Sequence, residues 1–319
     1  MKSLEDILSY RREHNSKGEQ QFIQDYMVDF DPICNTKGEV IAFRHENKIE
    51  GAKTNILWTS HIDTVHHTEP HRVKQEVWID DLSKTAFVNH DQDCLGADDG
   101  TGVWLMLEMI KHKVHGTYIF FRGEERGCIG SKEMVAEYSE YLAEFDCAIA
   151  FDRKGFDSVI THQQSSRCCS DEFGTALVNI FSTDRDNFKL DNGGVFTDTA
   201  EFVHLIPECT NISVGYLSQH SSKETQDIKF AERLRDTLVN TQWHEIELPI
   251  TRTPEPPSYY SSWDYAEYAD YGSYYEDYIF SSIEEIEQSI KAKSSREVAM
   301  MIKNMAEYID MLEQQGFMG

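Results

Sequence analysis

Long apolar runs are missing from this chain. No stretch of its 319 residues approaches ~18 uninterrupted apolar positions, so no membrane span is expected. The opening Met1-Lys2-Ser3-Leu4-Glu5-Asp6 also lacks the apolar core of a signal peptide. Cysteine is too sparse and irregular for a disulfide framework: there are seven, an odd number without framework-like spacing. A reducing, cytoplasmic setting is therefore expected. Basic residues are in short supply, with 30 Lys+Arg against 56 Asp+Glu and a formal net charge of −26. That balance argues against a nucleic-acid partner and disfavours an anionic membrane surface. What remains is ordinary: 40% hydrophobic content over a length sufficient for a real core.

The chain alternates short apolar strands with helical segments. Strands are predicted at Glu39 to Phe43, Ile56 to Ser60, Thr117 to Phe121, Cys147 to Phe151, Ser158 to Thr161 and Asn211 to Val214. Weaker strand signals lie at Glu76 to Ile79 and Ala86 to Asn89, inside a polar excursion over 64–95. Two short helices with a break at Asn15 to Gly18 are predicted before residue 30. Further helices are predicted over Gly100 to Lys113, Ser131 to Leu142, Ser170 to Phe181 and Glu224 to Val239, with another beginning near Thr197. This rhythm predicts an α/β fold with a mostly parallel, mixed and twisted sheet and helices on both faces. It spans residues 1–248.

Beyond it, Pro249, Pro254, Pro256 and Pro257 open a linker over 249–280. Residues 259–278 hold eight of the fifteen Tyr and five acidic residues but no Lys or Arg, which reads as an exposed low-complexity segment. Val298, Ile302, Met305, Ile309 and Leu312 then place one apolar stripe on a C-terminal amphipathic helix within 281–319. That stripe either folds back or pairs with a partner, a second copy of the chain included.

Five short motifs carry the chemistry: Thr59-Ser60-His61-Ile62-Asp63, Gly96-Ala97-Asp98-Asp99-Gly100, Gly123-Glu124-Glu125, Phe151-Asp152 and Gln219-His220-Ser221. The first four sit at or just after predicted strands, whose carboxyl ends converge on one crevice in an open α/β sheet. Singly, each has a plainer reading: a charged turn, a surface carboxylate, an ordinary loop histidine. Together they form an oxygen-rich donor set with two nitrogens, suited to zinc or a neighbouring divalent ion. His61 can bind a metal while Asp63 accepts its other ring N–H. Of the Glu124-Glu125 pair, one carboxylate can ligate and the other serve as general base. The glycines around Asp98-Asp99 let the backbone approach a metal, and a carboxylate at that turn can bridge two ions. His66, His67 and His71 read as a solvated loop, Cys168-Cys169 as a packed pair, and Asn192-Gly193-Gly194 as a turn.

Gly96-Ala97-Asp98-Asp99-Gly100-Thr101-Gly102, the Gly-Glu-Glu-x-Gly-x-x-Gly-Ser run from Gly123 and the His-Ser-x-x-Glu run from His220 resemble signatures of the di-zinc exopeptidase clan. That clan holds leucyl-type aminopeptidases, peptidase T-like tripeptidases, carboxypeptidases and aminoacylases. The resemblance covers roughly residues 54–226. It implies that residues 1–248 form a metallopeptidase domain in which Asp98 bridges two divalent ions, zinc first, with cobalt or manganese as alternatives. His61 and Asp152 would complete one site, Glu125 and His220 the other. Glu124 would activate the bridging water, Asp63 would orient His61, and the Asp98–Asp99 peptide bond would be cis. Only 67 residues separate Asp152 from His220, which resembles the lidless single-domain members. For the oxyanion donor, His204 and Arg167 are the candidates.

The leading expectation is a metal-dependent aminopeptidase acting on short peptides. An N-acyl amino acid deacylase or related amidohydrolase on the same metals is the alternative, separated by whether the pocket offers acceptors to a free amine. A scaffold or assembly protein, using the C-terminal extension for a partner or a homo-oligomer, is the reading from another class.

Overall fold

Successive residues of the central strands bury into opposite layers, as near-continuous apolar runs predict. Ile56 and Trp58 pack with Tyr118, Phe120, Ile149 and Phe151 on one side, while Leu57 packs with Ile119, Phe121 and Ala148 on the other. The computed structural model describes residues 3–68, 71–88, 93–163 and 166–254, all within the unit Met1–Ser258. Most of the expected linker, with its Tyr-rich segment, and the C-terminal helix expected within 281–319 lie outside the described residues.

In chain order, α1 (Leu4–Leu8) and α2 (Lys17–Phe22) precede β1 (Asp31–Cys34), β2 (Val40–Asn47) and β3 (Ile56–His61). Then come β4 (Val77–Ile79), β5 (Thr85–Val88), α3 (Ala97–Lys111), β6 (Gly116–Phe121), α4 (Ile129–Leu142) and β7 (Cys147–Arg153). β8 (Ser158–Ile160), β9 (His162–Gln163) and β10 (Ser166–Arg167) lead to α5 (Asp171–Phe181) and β11 (Lys189–Asp191). A 3-10 turn over Asp198–Phe202, β12 (Glu208–Ser213), β13 (Tyr216–Leu217), β14 (Thr225–Asp227) and α6 (Ile228–Asn240) follow.

The main sheet has eight strands in the order β1-β2-β6-β3-β7-β12-β8-β11. Its middle, β6-β3-β7-β12, is parallel, whereas β1, β2 and the β12–β8 pairing are antiparallel. The mostly parallel, mixed sheet with helices on both faces is borne out. Apolar residues of α1, α3, α5 and α6 cover one face, and α4 with the 3-10 turn covers the other. From β3 the chain crosses to β6 on one side and then to β7 on the other. This places the crevice at the carboxyl ends of three adjacent strands.

Several boundaries differ from expectation. Ser16 caps α2 by accepting the Glu19 N–H at 3.1 Å, so Gly18 lies inside the helix rather than in the break. The helix expected near Thr197 is a 3-10 turn. The one expected from Glu224 starts at Ile228, because Thr225–Asp227 pairs as a strand and Asp227 then caps α6 through the Phe230 N–H. That strand joins β13, β5 and β4 in a second, four-stranded sheet, which accounts for the polar excursion after β3.

Candidate metal centre

His61 ends β3, Glu124 and Glu125 form a 3-10 turn just after β6, and Asp152 lies at the end of β7. Asp98 sits in the first turn of α3, and His220 follows β13 at a left-handed φ of 58°. All six side chains meet. The His61 Nε2 lies 3.2 Å from Asp98 Oδ1, 3.6 Å from Asp152 Oδ1 and 3.8 Å from Glu124 Oε2. The His220 Nε2 lies 3.3 Å from Asp98 Oδ2 and 2.9 Å from Glu125 Oε1. Asp98 thus turns one oxygen to each histidine. Donor atoms of His61, Asp98 and Asp152 form one group within 4.8 Å of one another, those of Asp98, Glu125 and His220 a second, and those of His61, Glu124 and Glu125 a third. The Asp98–Asp99 peptide bond is cis.

Asp63 does something other than expected. Its carboxylate accepts the backbone N–H groups of Gly123, Glu124 and Glu125 at 2.8, 3.2 and 3.2 Å. With those three donors taken up, the nearer acceptor for His61 Nδ1 is the Asp63 carbonyl oxygen at 3.0 Å, against 3.8 Å to the carboxylate. A carbonyl can only accept, so Nδ1 carries a hydrogen, and Nε2 is the ring atom turned to the carboxylates.

Glu224, the last residue of the His-Ser-x-x-Glu run, is buried and accepts the Gly96 and Asp98 N–H groups at 2.9 and 3.0 Å. Asp99 accepts from Ser60 Oγ, the His61 N–H and the Gly102 N–H, joining the end of β3 to the start of α3. Buried Arg12 donates to the carbonyls of Ile62 and Gly96, holding both loops at once. Tyr216 donates its hydroxyl toward the Asp152 carboxylate and carbonyl, both at 3.2 Å. The glycines serve packing more than metal approach. A Cβ on Gly100 would meet Arg12 and Leu8, and one on Gly102 would lie 2.4 Å from Asp99 Oδ1 and the Phe151 carbonyl.

The electrostatics ask for cations. Burial, reinforced by the charge of Asp98, pushes Glu125 up to about 7. Burial also raises Glu124 well above the carboxylate range against the opposing charge of His61, and it raises Asp152 together with the charge of Asp98. Asp98 resists burial: hydrogen bonds from His220 and His61 hold it below the usual range. Burial likewise opposes protonation of both histidines, yet the surrounding carboxylates raise them above their ordinary value. So many carboxylates removed from water in one cleft are costly unless positive charge compensates them. Two nitrogens and several oxygens in three overlapping groups fit a divalent-metal site.

Other readings are settled by position. His66 is buried with its Nδ1 3.0 Å from Asp93, so it is no solvated loop residue. Asp93 also takes the buried Arg11 guanidinium, a pairing of sequence-distant groups. His204 and Arg167 do not line the cleft, and Arg167 pairs with Asp171 at 2.8 Å. Cys168 and Cys169 are buried with both thiols toward the Ile160 carbonyl. Gly194 and Thr197, beyond the Asn192-Gly193-Gly194 turn, do reach the cleft wall.

Solved structures of the same fold include aminopeptidase PepT from Bacillus cereus ATCC 10987, with 14% identity, TM-score 0.56, and 74% of this chain and 95% of that one covered. A tripeptidase from Staphylococcus aureus subsp. aureus mu50 has 13% identity, TM-score 0.53 and the same coverage. Aminopeptidase APDkam598 from Desulfurococcus kamchatkensis has 14% identity, TM-score 0.54, and 76% and 95% coverage. None of the curated proteins matches the sequence. The profile of Peptidase family M28 matches residues 40–273, a span that contains every donor from His61 to His220 and agrees with the zinc-exopeptidase resemblance of the motifs. With well over half of its length matched, the chain belongs to peptidase family M28.

Proposed function

We propose that the chain is a metal-dependent aminopeptidase that removes N-terminal residues from short peptides. The observation that carries the reading is the shared Asp98, whose two oxygens face His61 and His220 separately. Asp98 would be shared between two divalent cations, zinc first, with His61 and Asp152 holding one and Glu125 and His220 the other. Such a pair polarises the scissile carbonyl and lowers the pKa of a shared water. Glu124, whose oxygen lies 3.8 Å from His61 Nε2, would take the water proton and pass it to the leaving amine. Asp63 holds the turn that presents Glu124 and Glu125.

Gln163 lines the cleft wall. Its amide nitrogen donates to Thr199 at 3.1 Å, and its Oε1 is left buried without a partner. The aminopeptidase and the tripeptidase among the similar solved structures agree with a short-peptide substrate. No helix among the described residues is long and apolar enough to cross a membrane, which accords with the proposed cytoplasmic setting.

The test is metal-reconstituted protein on unblocked and N-acetylated tripeptides, with products read by mass spectrometry beside Glu124→Gln. N-terminal residues should be lost only from unblocked peptides. The substitution should lower kcat by roughly 10²–10⁴-fold, the usual range for a general base. Acetate release from the blocked forms would instead establish the deacylase.

A further inference from the structure

We propose that Arg153 and Lys154, at the carboxyl end of β7, form a carboxylate-accepting subsite that selects peptides presenting a negative charge beside the scissile bond. This rests on the peptidase reading above. The cleft floor carries Asp98, Glu124, Glu125 and Asp152, and among the described lining residues the only lysine and arginine side chains are these two. They follow the candidate ligand Asp152 directly in the chain and line the same cleft.

Neither cation is used up by the fold. Arg153 reaches Asp191 through a single nitrogen, Nη2, at 3.3 Å. Asp191 is already shared: it accepts from Ser158 Oγ at 2.7 Å and from the Gly193 N–H at 2.8 Å. The Arg153 Nε is buried and has no hydrogen-bond partner. A guanidinium is a planar fork of five donors suited to two parallel bonds with a carboxylate. Among the described residues that fork makes its one bond to Asp191, and its Nε makes none. Lys154 is exposed and has no carboxylate in ion-pair range among the described residues, although acids outnumber bases 56 to 30 in the chain. In so acidic a molecule an unpaired lysine beside an under-used arginine, on the wall of a cleft, points to an anionic ligand group.

The charge has two sources in a short peptide: the side chain of an acidic residue, or the main-chain terminal carboxylate of a di- or tripeptide. The experiment separates them. Full-length, metal-reconstituted protein is assayed on unblocked Ala-Ala-Ala against its C-terminal amide, and on Glu-Ala-Ala amide against Gln-Ala-Ala amide. Wild type is compared with Lys154→Gln, Lys154→Glu and, as a control for bulk charge, Lys37→Gln in the β1–β2 connection. One acid should exceed its neutral partner by roughly tenfold in kcat/KM, the size of one charge-assisted hydrogen bond. That ratio should collapse in Lys154→Gln, invert in Lys154→Glu and persist in Lys37→Gln. The pair that shows it names the source. Equal rates on acid and neutral forms, or a ratio indifferent to Lys154, would overturn the subsite. If no peptide is cleaved at all, the peptidase reading falls, and calorimetric titration of the Glu124→Gln protein with the same four peptides decides the subsite. Tighter binding of the acid that Lys154→Gln abolishes upholds it, and equal binding rejects it.

Discussion

Glu224 touches no reacting group, yet its two oxygens grip the main chain on both sides of Ala97 and so fix where Asp98 points. In Glu224→Gln an amide NH₂ replaces one oxygen and confronts a backbone N–H, leaving a buried donor unpaired. Metal affinity should fall by about 10–100-fold, as for other groups that orient a ligand. Competition with a chromophoric chelator measures it, and unchanged affinity would remove Glu224 from the positioning role. The proposed ligands were readable from sequence because residue type alone carries their chemistry. Arg12 and Tyr216 were not, since their meaning lies in partners 84 and 64 positions away, Gly96 and Asp152. Asp63 combines a local and a distant relation. Its nearness to His61 is local, whereas its capture of three N–H groups from the 123–125 turn depends on β3 and β6 lying side by side.

Strands β3, β6 and β7 were legible as elements because their apolar runs are long and end in the motifs. β14 was not. Glu224-Thr225-Gln226-Asp227 contains no apolar residue to set a period, and its strand state comes from pairing with β5 and from Gln226 bonding Thr101 and the Val214 carbonyl. The start of α3 shows the same dependence on neighbours. Gly102 lets the helix lie against β7, because a Cβ there would lie 2.4 Å from both Asp99 Oδ1 and the Phe151 carbonyl. Gly102→Ala should therefore cost about 1–3 kcal/mol of stability, the range for an overfilled core, and weaken metal binding through displaced Asp99. Chemical denaturation with and without metal tests this. A variant as stable as wild type would show that helix and strand can part at no cost.

Across the whole molecule the surplus of acid has a consequence for the metal-free protein. Burial pushes Asp198, behind the cleft, up to about 8 against the opposing charge of His61, and it pushes Glu224 up to about 7 against two backbone hydrogen bonds. The unfolded chain releases those protons near pH 4, so from about pH 4.5 to 8 the native state binds more protons than the unfolded one. Stability must then fall as pH rises through that window. His61 and His220, both raised, act in the same sense above their unfolded value of about 6.5. Asp98, held low, loses its contribution only in more acid solution. Metal-free protein in chelator should melt roughly 5 °C lower at pH 7.5 than at pH 5.5. Divalent ions should reverse the order, because they bind the deprotonated carboxylates and neutral histidines whose mutual repulsion or protonation sets the slope. Thermal scans at the two pH values with and without zinc decide it. A metal-free melting point that rises with pH would mean that the buried acids are compensated by the protein itself, and the argument from charge to metal would lose its footing.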